Sequence, residues 1–261
     1  MLLKGQSAIV TGSTSGIGLG IARALAATGA DVMLNGLGDA AEIEHTRADL
    51  ERSHGVRVRY SGADMSRPDD VRALAAAALA EFGRVDIVVN NAGIQHVAPL
   101  ESFDEAKWDA VLAINLSSAF HLIKAVVPGM KARRHGRIVN VASAHGLTAS
   151  PFKSAYVAAK HGLIGLSKTV AVELAEWGIT SNTICPGYVK TPLVEKQIAD
   201  QARAHGIAPE QVVRDVMLSH QARKEFVQVD ELAALAVFLA TDAAASMTGT
   251  AIAMDGGWTL H

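Results

Sequence analysis

Short apolar runs alternate along the chain with longer stretches of helical periodicity. Two of the apolar runs, Ser7–Val10 and residues 85–90, are too short for a helix, and their apolar residues are largely consecutive rather than alternating with polar ones. Continuous apolar runs of this length are typical of strands that are buried on both faces. The stretches between the runs are ten residues or longer. The pattern therefore predicts right-handed helical crossovers that join parallel strands, which is an α/β fold.

Seven strands and six helices are predicted in this order of the chain. The strands cover residues 7–10, 31–35, 56–61, 85–90, 137–142, 179–184 and 251–254. The helices cover residues 17–28, 40–53, 68–82, 104–131, 154–177 and 229–240, and residues 191–226 are predicted to form an irregular, mostly helical insertion. No internal repeat or linker interrupts the order. We therefore expect one domain over residues 1–261, with helices on both faces of a parallel sheet.

Composition and charge narrow the possible partners. Half of the residues, 49%, are hydrophobic, and 24 basic residues nearly balance 26 acidic ones without forming a basic run. Nucleic-acid binding is therefore not expected. The single cysteine, Cys185, excludes an internal disulfide and fits a reducing compartment. No run approaches the roughly 20 apolar residues of a membrane span. We expect a cytoplasmic protein with no membrane contact, and the scattered histidines suggest no metal site.

A glycine cluster after the first strand suggests a nucleotide site. Gly12, Gly16 and Gly18 follow that strand and open the first helix. Glycines let the backbone approach a pyrophosphate, and a helix N-terminus offers free N–H groups. The spacing differs from G-x-G-x-x-G, and such a cluster alone is also compatible with a plain turn. Its place after strand one of an alternating chain favours the dinucleotide interpretation.

The ends of the next strands bear on which nucleotide binds. The second strand ends in Asn-Gly-Leu-Gly at residues 35–38, without the usual acidic partner of a ribose, and Asp39 comes slightly late. No Arg or Lys lies at 35–39 to neutralise a 2′-phosphate, so NAD is predicted over NADP. Asp64 could bind the adenine amino group or cap the helix that begins at Pro68. The small residues at 90–93 leave room for adenosine or form a tight turn.

Three side chains between residues 143 and 160 suggest proton transfer. Tyr156 and Lys160 are one helical turn apart and share a face. A phenol with a pKa near 10 is a poor acid or base at neutral pH, and a neighbouring cation favours its phenolate. Ser143, at the end of the preceding strand, could hydrogen-bond the same substrate oxygen. This set could move a proton on or off a carbinol.

Taken in order, these motifs resemble the short-chain dehydrogenase/reductase family over essentially the whole chain. They are TGSTSGIG at 11–18, NNAG at 90–93, Asn115, Ser143, YVAAK at 156–160 and CPG at 185–187. The resemblance implies a Rossmann-type doubly wound sheet, a nicotinamide cofactor, a helical substrate lid within 191–226 and a homotetramer.

The resemblance also implies roles for single residues. Tyr156 would be the general acid/base, Ser143 would steady the substrate oxygen, and Lys160 would lower the pKa of Tyr156 and bind the nicotinamide ribose. Asn115 would hold a water in a proton relay, unless it merely kinks a long helix. The cofactor-binding residues expected from the motifs and the resemblance are Gly12, Thr14, Gly16, Ile17, Gly18, Asp64, Asn91, Gly93, Tyr156, Lys160, Pro186, Val189 and Thr191.

Four further donors near the implied catalytic tetrad (Asn115, Ser143, Tyr156 and Lys160) indicate an anionic substrate. They are Gln95, His145, Lys153 and Gln197, and with Ser143 and Tyr156 they form the predicted substrate site. Each alone could be a solvated or turn residue. Together they resemble the carboxylate site of one branch of the family, the bacterial D-3-hydroxybutyrate dehydrogenases. That branch interconverts (R)-3-hydroxybutyrate and acetoacetate with NAD.

The shape of the predicted pocket depends on two aromatic residues. Tyr188 stands where that branch usually has tryptophan, and Trp258 either reaches the pocket or is buried at a subunit interface. The alternatives are a 3-oxoacyl-thioester reductase, another hydroxy-acid, sugar or polyol dehydrogenase, and a nucleotide-binding sensor without catalysis. A sensor would not need the tetrad.

Overall fold

One parallel sheet of seven strands forms the centre of the protein. The structure, a computed structural model, describes residues 1–191, 194–195, 198, 202 and 207–260. The strands are β1 Ser7–Val10, β2 Asp31–Asn35, β3 Val58–Ser61, β4 Ile87–Asn90, β5 Gly136–Val141, β6 Ile179–Pro186 and β7 Ala251–Met254. Their order across the sheet is β3-β2-β1-β4-β5-β6-β7, and each neighbouring pair is parallel. The predicted α/β fold is confirmed.

Helices cover both faces of this sheet. They are α1 Gly16–Ala27, α2 Ala40–His54, α3 Pro68–Phe82, α4 Glu105–Leu112, α5 Ser118–Arg133, α6 Ser154–Leu174 and α7 Val229–Ala240. Most predicted bounds are correct within two residues. The sixth strand extends to Pro186, beyond the predicted end at 184, because Cys185 and Pro186 pair with β7.

Local signals in the sequence explain where several helices begin and end. The Asp39 carboxylate accepts hydrogen bonds from the N–H groups of Ala41 and Glu42, which caps α2. Gly55 ends the same helix with a left-handed φ of +64°. Pro68 occupies the first turn of α3, where its missing N–H costs nothing. Asp39 therefore serves as the N-cap of α2.

Each face of the sheet has its own apolar core. On one face α1 and α7 pack together, α1 against β1 and β2 and α7 against β5 and β6, with Leu25 and Leu232 fully buried. On the other face α3, α5 and α6 cover the sheet, and Leu74 and Leu122 are fully buried there. Successive strand residues point to opposite faces, which explains why these strands are apolar throughout.

The long helix predicted at 104–131 is continuous from Glu105 to Arg133 but contains a π-helical turn, Ala113–Ser117. By length and composition this stretch could cross a membrane, contrary to the expectation that no run comes close. Apolar residues are spread along it rather than contiguous. Core helices pass the same test, and Leu122 and Met130 are fully buried against the sheet.

The strand order leaves a crevice at the carboxyl ends of β1 and β4. From β1 the chain proceeds through β2 to β3 on one side, and from β4 it proceeds to β7 on the other. Ligands of open α/β sheets bind where the strand order reverses in this way. The loops after β1, β4, β5 and β6 meet at this edge.

Candidate active site

A cleft of about 950 Å³ opens at the carboxyl edge of the sheet. Its volume is in the range of small-molecule and cofactor sites. The lining comes from widely separated segments, which include the start of α1, the loops after β4, β5 and β6, and the C-terminal turn. The predicted site residues that line it are Ile17, Asn91, Gly93, Gln95, Ser143, His145, Lys153, Tyr156, Lys160, Val189 and Thr191.

Tyr156 and Lys160 lie side by side on α6, as their spacing predicts. The Lys160 ammonium is 5.6 Å from the centroid of the Tyr156 ring and donates a hydrogen bond of 2.9 Å to the Val141 carbonyl. The lysine is only 3% exposed, and this burial lowers its pKa to about 8. Lys160 is therefore held rigidly with a charge that is easily lost.

The acidity of Tyr156 differs from the expectation that Lys160 lowers it. Burial raises the pKa of the Tyr156 phenol, and a hydrogen bond with Ser143 opposes the shift. Desolvation dominates because the cleft wall removes water from the phenol. The phenol is thus protonated at neutral pH and suited to donate a proton to a carbonyl oxygen.

Asn115 lies in the π-helical turn and is 2% exposed. Its side chain accepts a hydrogen bond from the Ile94 N–H at 2.8 Å and donates one to the Ile94 carbonyl at 2.9 Å. The turn is the helix irregularity that the alternative interpretation expected. The amide fixes the chain just past NNAG, beside Lys160, and its role in a relay stays a prediction.

The glycine loop fits a dinucleotide. A Cβ on Gly18 would lie 2.2 Å from the Gly12 carbonyl oxygen, and one on Gly12 would lie 2.9 Å from the Ala92 Cα. These two glycines let the loop, α1 and NNAG pack closely. Gly16 has a φ of +54°, and a Cβ there would make only an ordinary contact, 3.8 Å from Thr191 Cγ2. No acidic side chain or side-chain cap occupies the first turn of α1, so its N–H groups remain available to a pyrophosphate.

Lys153 and His145 both line the cleft, but their charges differ. Lys153 is half-buried, its pKa is lowered by burial, and it forms no ion pair with the residues that the structure describes. His145 is 5% exposed, and its Nε2 lies 2.8 Å from Ser150 Oγ. Burial and the nearby Lys153 lower the pKa of His145 to about 4. Lys153 thus supplies charge, and His145 acts as a neutral hydrogen-bonding group.

Comparison with known proteins places this architecture in one family. The family model described as short chain dehydrogenase matches residues 6–202. The chain belongs to the short-chain dehydrogenase family. It is 54% identical over 256 residues to a D-beta-hydroxybutyrate dehydrogenase of Rhizobium meliloti (strain 1021), which covers 98% of this chain and 99% of that relative.

Further relatives agree with this assignment. A D-beta-hydroxybutyrate dehydrogenase of Cupriavidus necator is 53% identical over 258 residues, covering 98% of this chain and 99% of the relative. A crystal structure from Agrobacterium tumefaciens, provisionally assigned as a gluconate dehydrogenase, superposes with a TM-score of 0.87 at 32% identity, covering 98% and 97% of the two chains. As a short-chain dehydrogenase, the protein is an oxidoreductase that uses a nicotinamide cofactor.

Several residues predicted for this short-chain dehydrogenase lie beside the cleft rather than in its lining. Gly12, Gly16 and Gly18 shape the loop, and Thr14 Oγ1 donates to the Leu37 carbonyl at 3.2 Å. Asp64 Oδ1 accepts hydrogen bonds of 2.8 Å from both the N–H and the hydroxyl of Ser66, which lowers the pKa of Asp64. Its adenine contact stays a prediction. Pro186 pairs with β7, and Gln197 lies outside the described residues.

An aromatic wall, formed by Tyr188 and Trp258, bounds the cleft of this dehydrogenase. Their rings stack at a centroid distance of 5.6 Å and an angle of 3°. The His145 ring meets Trp258 edge-on at 5.0 Å. Trp258 therefore reaches the pocket, which is the first of the two positions considered for it. No local pattern could pair two residues 70 positions apart; only their aromatic character hinted at a shared role.

Proposed function

We propose that this protein catalyses the reversible, NAD-dependent oxidation of (R)-3-hydroxybutyrate to acetoacetate. The observation that carries the proposal is Lys153, a half-buried cation that lines the same cleft as Tyr156 and has no ion-pair partner among the described residues. A carboxylate is the natural partner of such a cation. Relatives that share 54% and 53% of their residues with this chain bear the corresponding name.

The proposed mechanism assigns each side chain one task. Lys153 binds the carboxylate, and the neutral His145 and Gln95 donate hydrogen bonds to it. Binding of the carboxylate orients the C3 hydroxyl toward Tyr156. Tyr156 takes the proton of this hydroxyl during oxidation and returns it during reduction. Ser143 holds the same oxygen, and Lys160 stabilises the phenolate. The nicotinamide, when bound, accepts or supplies the hydride.

Because the pKa of Tyr156 is raised, the rates of reduction and oxidation should depend differently on pH. Reduction needs the phenol, which is present at neutral pH, whereas oxidation needs the phenolate. We expect the reduction reaction to be fast near neutral pH, and we expect the rate of oxidation to increase as the pH increases.

NAD is proposed over NADP because cations are missing where a 2′-phosphate would lie. Residues 35–39 contain no Lys or Arg, and the only cations that line the cleft within the described part of the chain are Lys153 and Lys160. Both lysines lie at the end of the cleft that contains Tyr156. The main alternative, a reductase of 3-oxoacyl thioesters, would share the tetrad but would not need a half-buried cation such as Lys153 at the substrate.

The test is to follow NADH oxidation at 340 nm with acetoacetate, in parallel with NADPH and with acetoacetyl-CoA. Turnover with NADH and acetoacetate, and little with the other pairs, is the expected result. Turnover with the thioester alone would contradict the carboxylate site. Turnover with NADPH alone would contradict the cofactor assignment and leave the substrate assignment intact.

Two further proposals concern the oligomeric assembly of the protein and its substrate lid. We propose a cytoplasmic homotetramer, in line with the exposed apolar residues Phe120 on α5, Val172 on α6 and Phe238 on α7. We also propose that 191–226 acts as the substrate lid of the single domain, because Thr191 and Val194 line the cleft. Light scattering coupled to size-exclusion chromatography should give four times the 27.3 kDa chain mass.

A further inference from the structure

A buried carboxamide lies behind the aromatic wall. Gln221 is 1% exposed, although it lies in a polar stretch before α7. Its Oε1 accepts a hydrogen bond of 3.0 Å from the Tyr188 N–H. Its Nε2 donates to the carbonyls of Arg223 at 3.3 Å and Glu225 at 3.1 Å. One side chain thus joins the loop after β6 to the segment that leads into α7.

Two glycines make room for this carboxamide. A Cβ on Gly187 would lie 2.8 Å from Gln221 Oε1, and a Cβ on Gly256 would lie 2.8 Å from Gln221 Nε2. Gly256 also has a φ of +62° and accepts a hydrogen bond of 2.9 Å from the Arg223 N–H. Any larger side chain at either position would displace Gln221. The amide is therefore enclosed between the turn before Tyr188 and the turn before Trp258.

Both halves of the aromatic wall depend on these turns. Tyr188 follows Gly187 directly, and its N–H is one of the bonds that Gln221 forms. Trp258 lies two residues after Gly256, in a turn that Asp255 closes through hydrogen bonds to the Gly257 and Thr259 N–H groups. The rings are nearly parallel, so a small shift of either turn would break their stacking.

We propose that Gln221 is a positioning residue for substrate recognition, which holds Tyr188 and Trp258 in register so that they close the end of the cleft around a short acyl chain. The inference rests on the proposed function for the identity of the substrate. Gln221 does not line the cleft and acts only through the two aromatic rings. Without its three hydrogen bonds, the wall loosens and longer 3-oxo acids fit better.

The experiment compares Gln221→Met with Asn182→Leu. Asn182 is also 1% exposed and also joins backbone segments, since its Nδ2 donates to the Met247 carbonyl at 2.7 Å and its Oδ1 accepts from the Thr250 N–H at 3.2 Å. It does not line the cleft. Both substitutions replace a buried amide with an apolar side chain of similar size, so both should lower the melting temperature. A purely structural role would make their kinetic effects equal.

We expect only Gln221→Met to change substrate recognition. Its KM for acetoacetate should increase about tenfold, as for the loss of one good apolar contact, with the KM for NADH unchanged. Its preference for acetoacetate over 3-oxohexanoate should fall by a similar factor. Equal substrate KM values in the two variants would overturn the proposal. If Gln221→Met does not fold, Gln221→Asn, whose amide is one methylene too short to reach both turns, replaces it with the same expected result.

A second readout needs no substrate. In a Trp108→Phe, Trp177→Phe background, Trp258 is the only tryptophan left of three. Acrylamide quenching of its fluorescence should increase in Gln221→Met and not in Asn182→Leu. An unchanged Trp258 signal would overturn the proposal. If the wild type fails to reduce acetoacetate, the proposed function falls, and the fluorescence alone decides whether Gln221 holds the wall.

Discussion

The two ends of the cleft are built by different means. The nucleotide end consists of backbone and small residues, with Gly12 and Gly18 packed within van der Waals distance of neighbouring main chain. The substrate end consists of side chains such as Lys153, Tyr188 and Trp258, which come from separate parts of the chain. The first end tolerates almost no added atom. The second can change its chemistry by single substitutions while the fold stays intact, as expected where function resides in a site carried by a common fold.

Catalysis at the junction of the two ends should depend most on one oxygen atom. Tyr156→Phe removes the proton donor, and we expect kcat to fall about 10³-fold, as for loss of a general acid. NADH affinity, measured by fluorescence titration, should stay within about twofold because the ring itself remains. Tyr188→Phe is the matched control, since it removes a phenol oxygen from the aromatic wall. Equal losses in both variants would mean that Tyr156 acts through packing.

The nucleotide end should respond to a single added methyl group. Gly18→Ala places a Cβ 2.2 Å from the Gly12 oxygen and 2.5 Å from Asn91 Nδ2. We expect the loop to shift, NADH affinity to fall about a hundredfold and the free energy of unfolding to fall by about 1–3 kcal/mol.

Gly165→Ala on α6 is the control for that prediction. A Cβ there meets nothing within 4 Å, so the change should stabilise the helix by about 0.5–1 kcal/mol and leave NADH affinity unchanged. Titration calorimetry with NADH and urea unfolding measure both quantities. Unaltered NADH binding in Gly18→Ala would show that the close packing of the loop is irrelevant to the cofactor.

The substrate end should respond to loss of charge. Lys153→Ala should increase the KM for acetoacetate about thirtyfold, corresponding to about 2 kcal/mol for a charge-assisted hydrogen bond. The KM for NADH should not change. Lys168→Ala, which removes an exposed lysine from α6, the helix that follows Lys153, should have no effect on either KM. If both variants keep the wild-type KM, Lys153 is a solvated residue and the carboxylate site is wrong.

The contrast between the two ends also explains how far the sequence could predict the structure. The nucleotide end is contiguous, so TGSTSGIG and NNAG identify it, and Tyr156 and Lys160 share a helical face by spacing alone. The aromatic wall and Gln221 are tertiary features. A glutamine in a polar stretch gives no sign that it will be 1% exposed, because only packing of the turns at 187 and 256 around it creates that environment.

The pKa values of the tetrad residues are also beyond what the sequence alone could predict. Residue order indicates that Lys160 lies near Tyr156, and from this the lowering of the phenol pKa was expected. The structure adds burial, which raises the pKa of Tyr156 and lowers that of Lys160 to about 8. Desolvation depends on every atom around a group, so spacing along one helix could not predict which influence is larger.

The smallest expected effect concerns pH at the substrate end. Burial lowers the pKa of His145 to about 4 from its ordinary 6.5, so the imidazole is uncharged throughout pH 5 to 7. A carboxylate substrate, with a pKa near 4, stays ionised over the same range. The KM for acetoacetate should therefore change by less than about twofold between pH 5 and 7, as expected when no group in the site titrates there.

At higher pH the same KM should increase because Lys153 loses its proton. Burial lowers the pKa of Lys153 below its ordinary 10.5, so the cation disappears at a lower pH than that of an exposed lysine. Initial rates at fixed NADH, measured from pH 5 to 10, test both statements. A step in KM near pH 6.5 would show that His145 titrates as an exposed histidine does. The substrate carboxylate would then meet two cations below that pH, and the division of roles between Lys153 and His145 would be wrong.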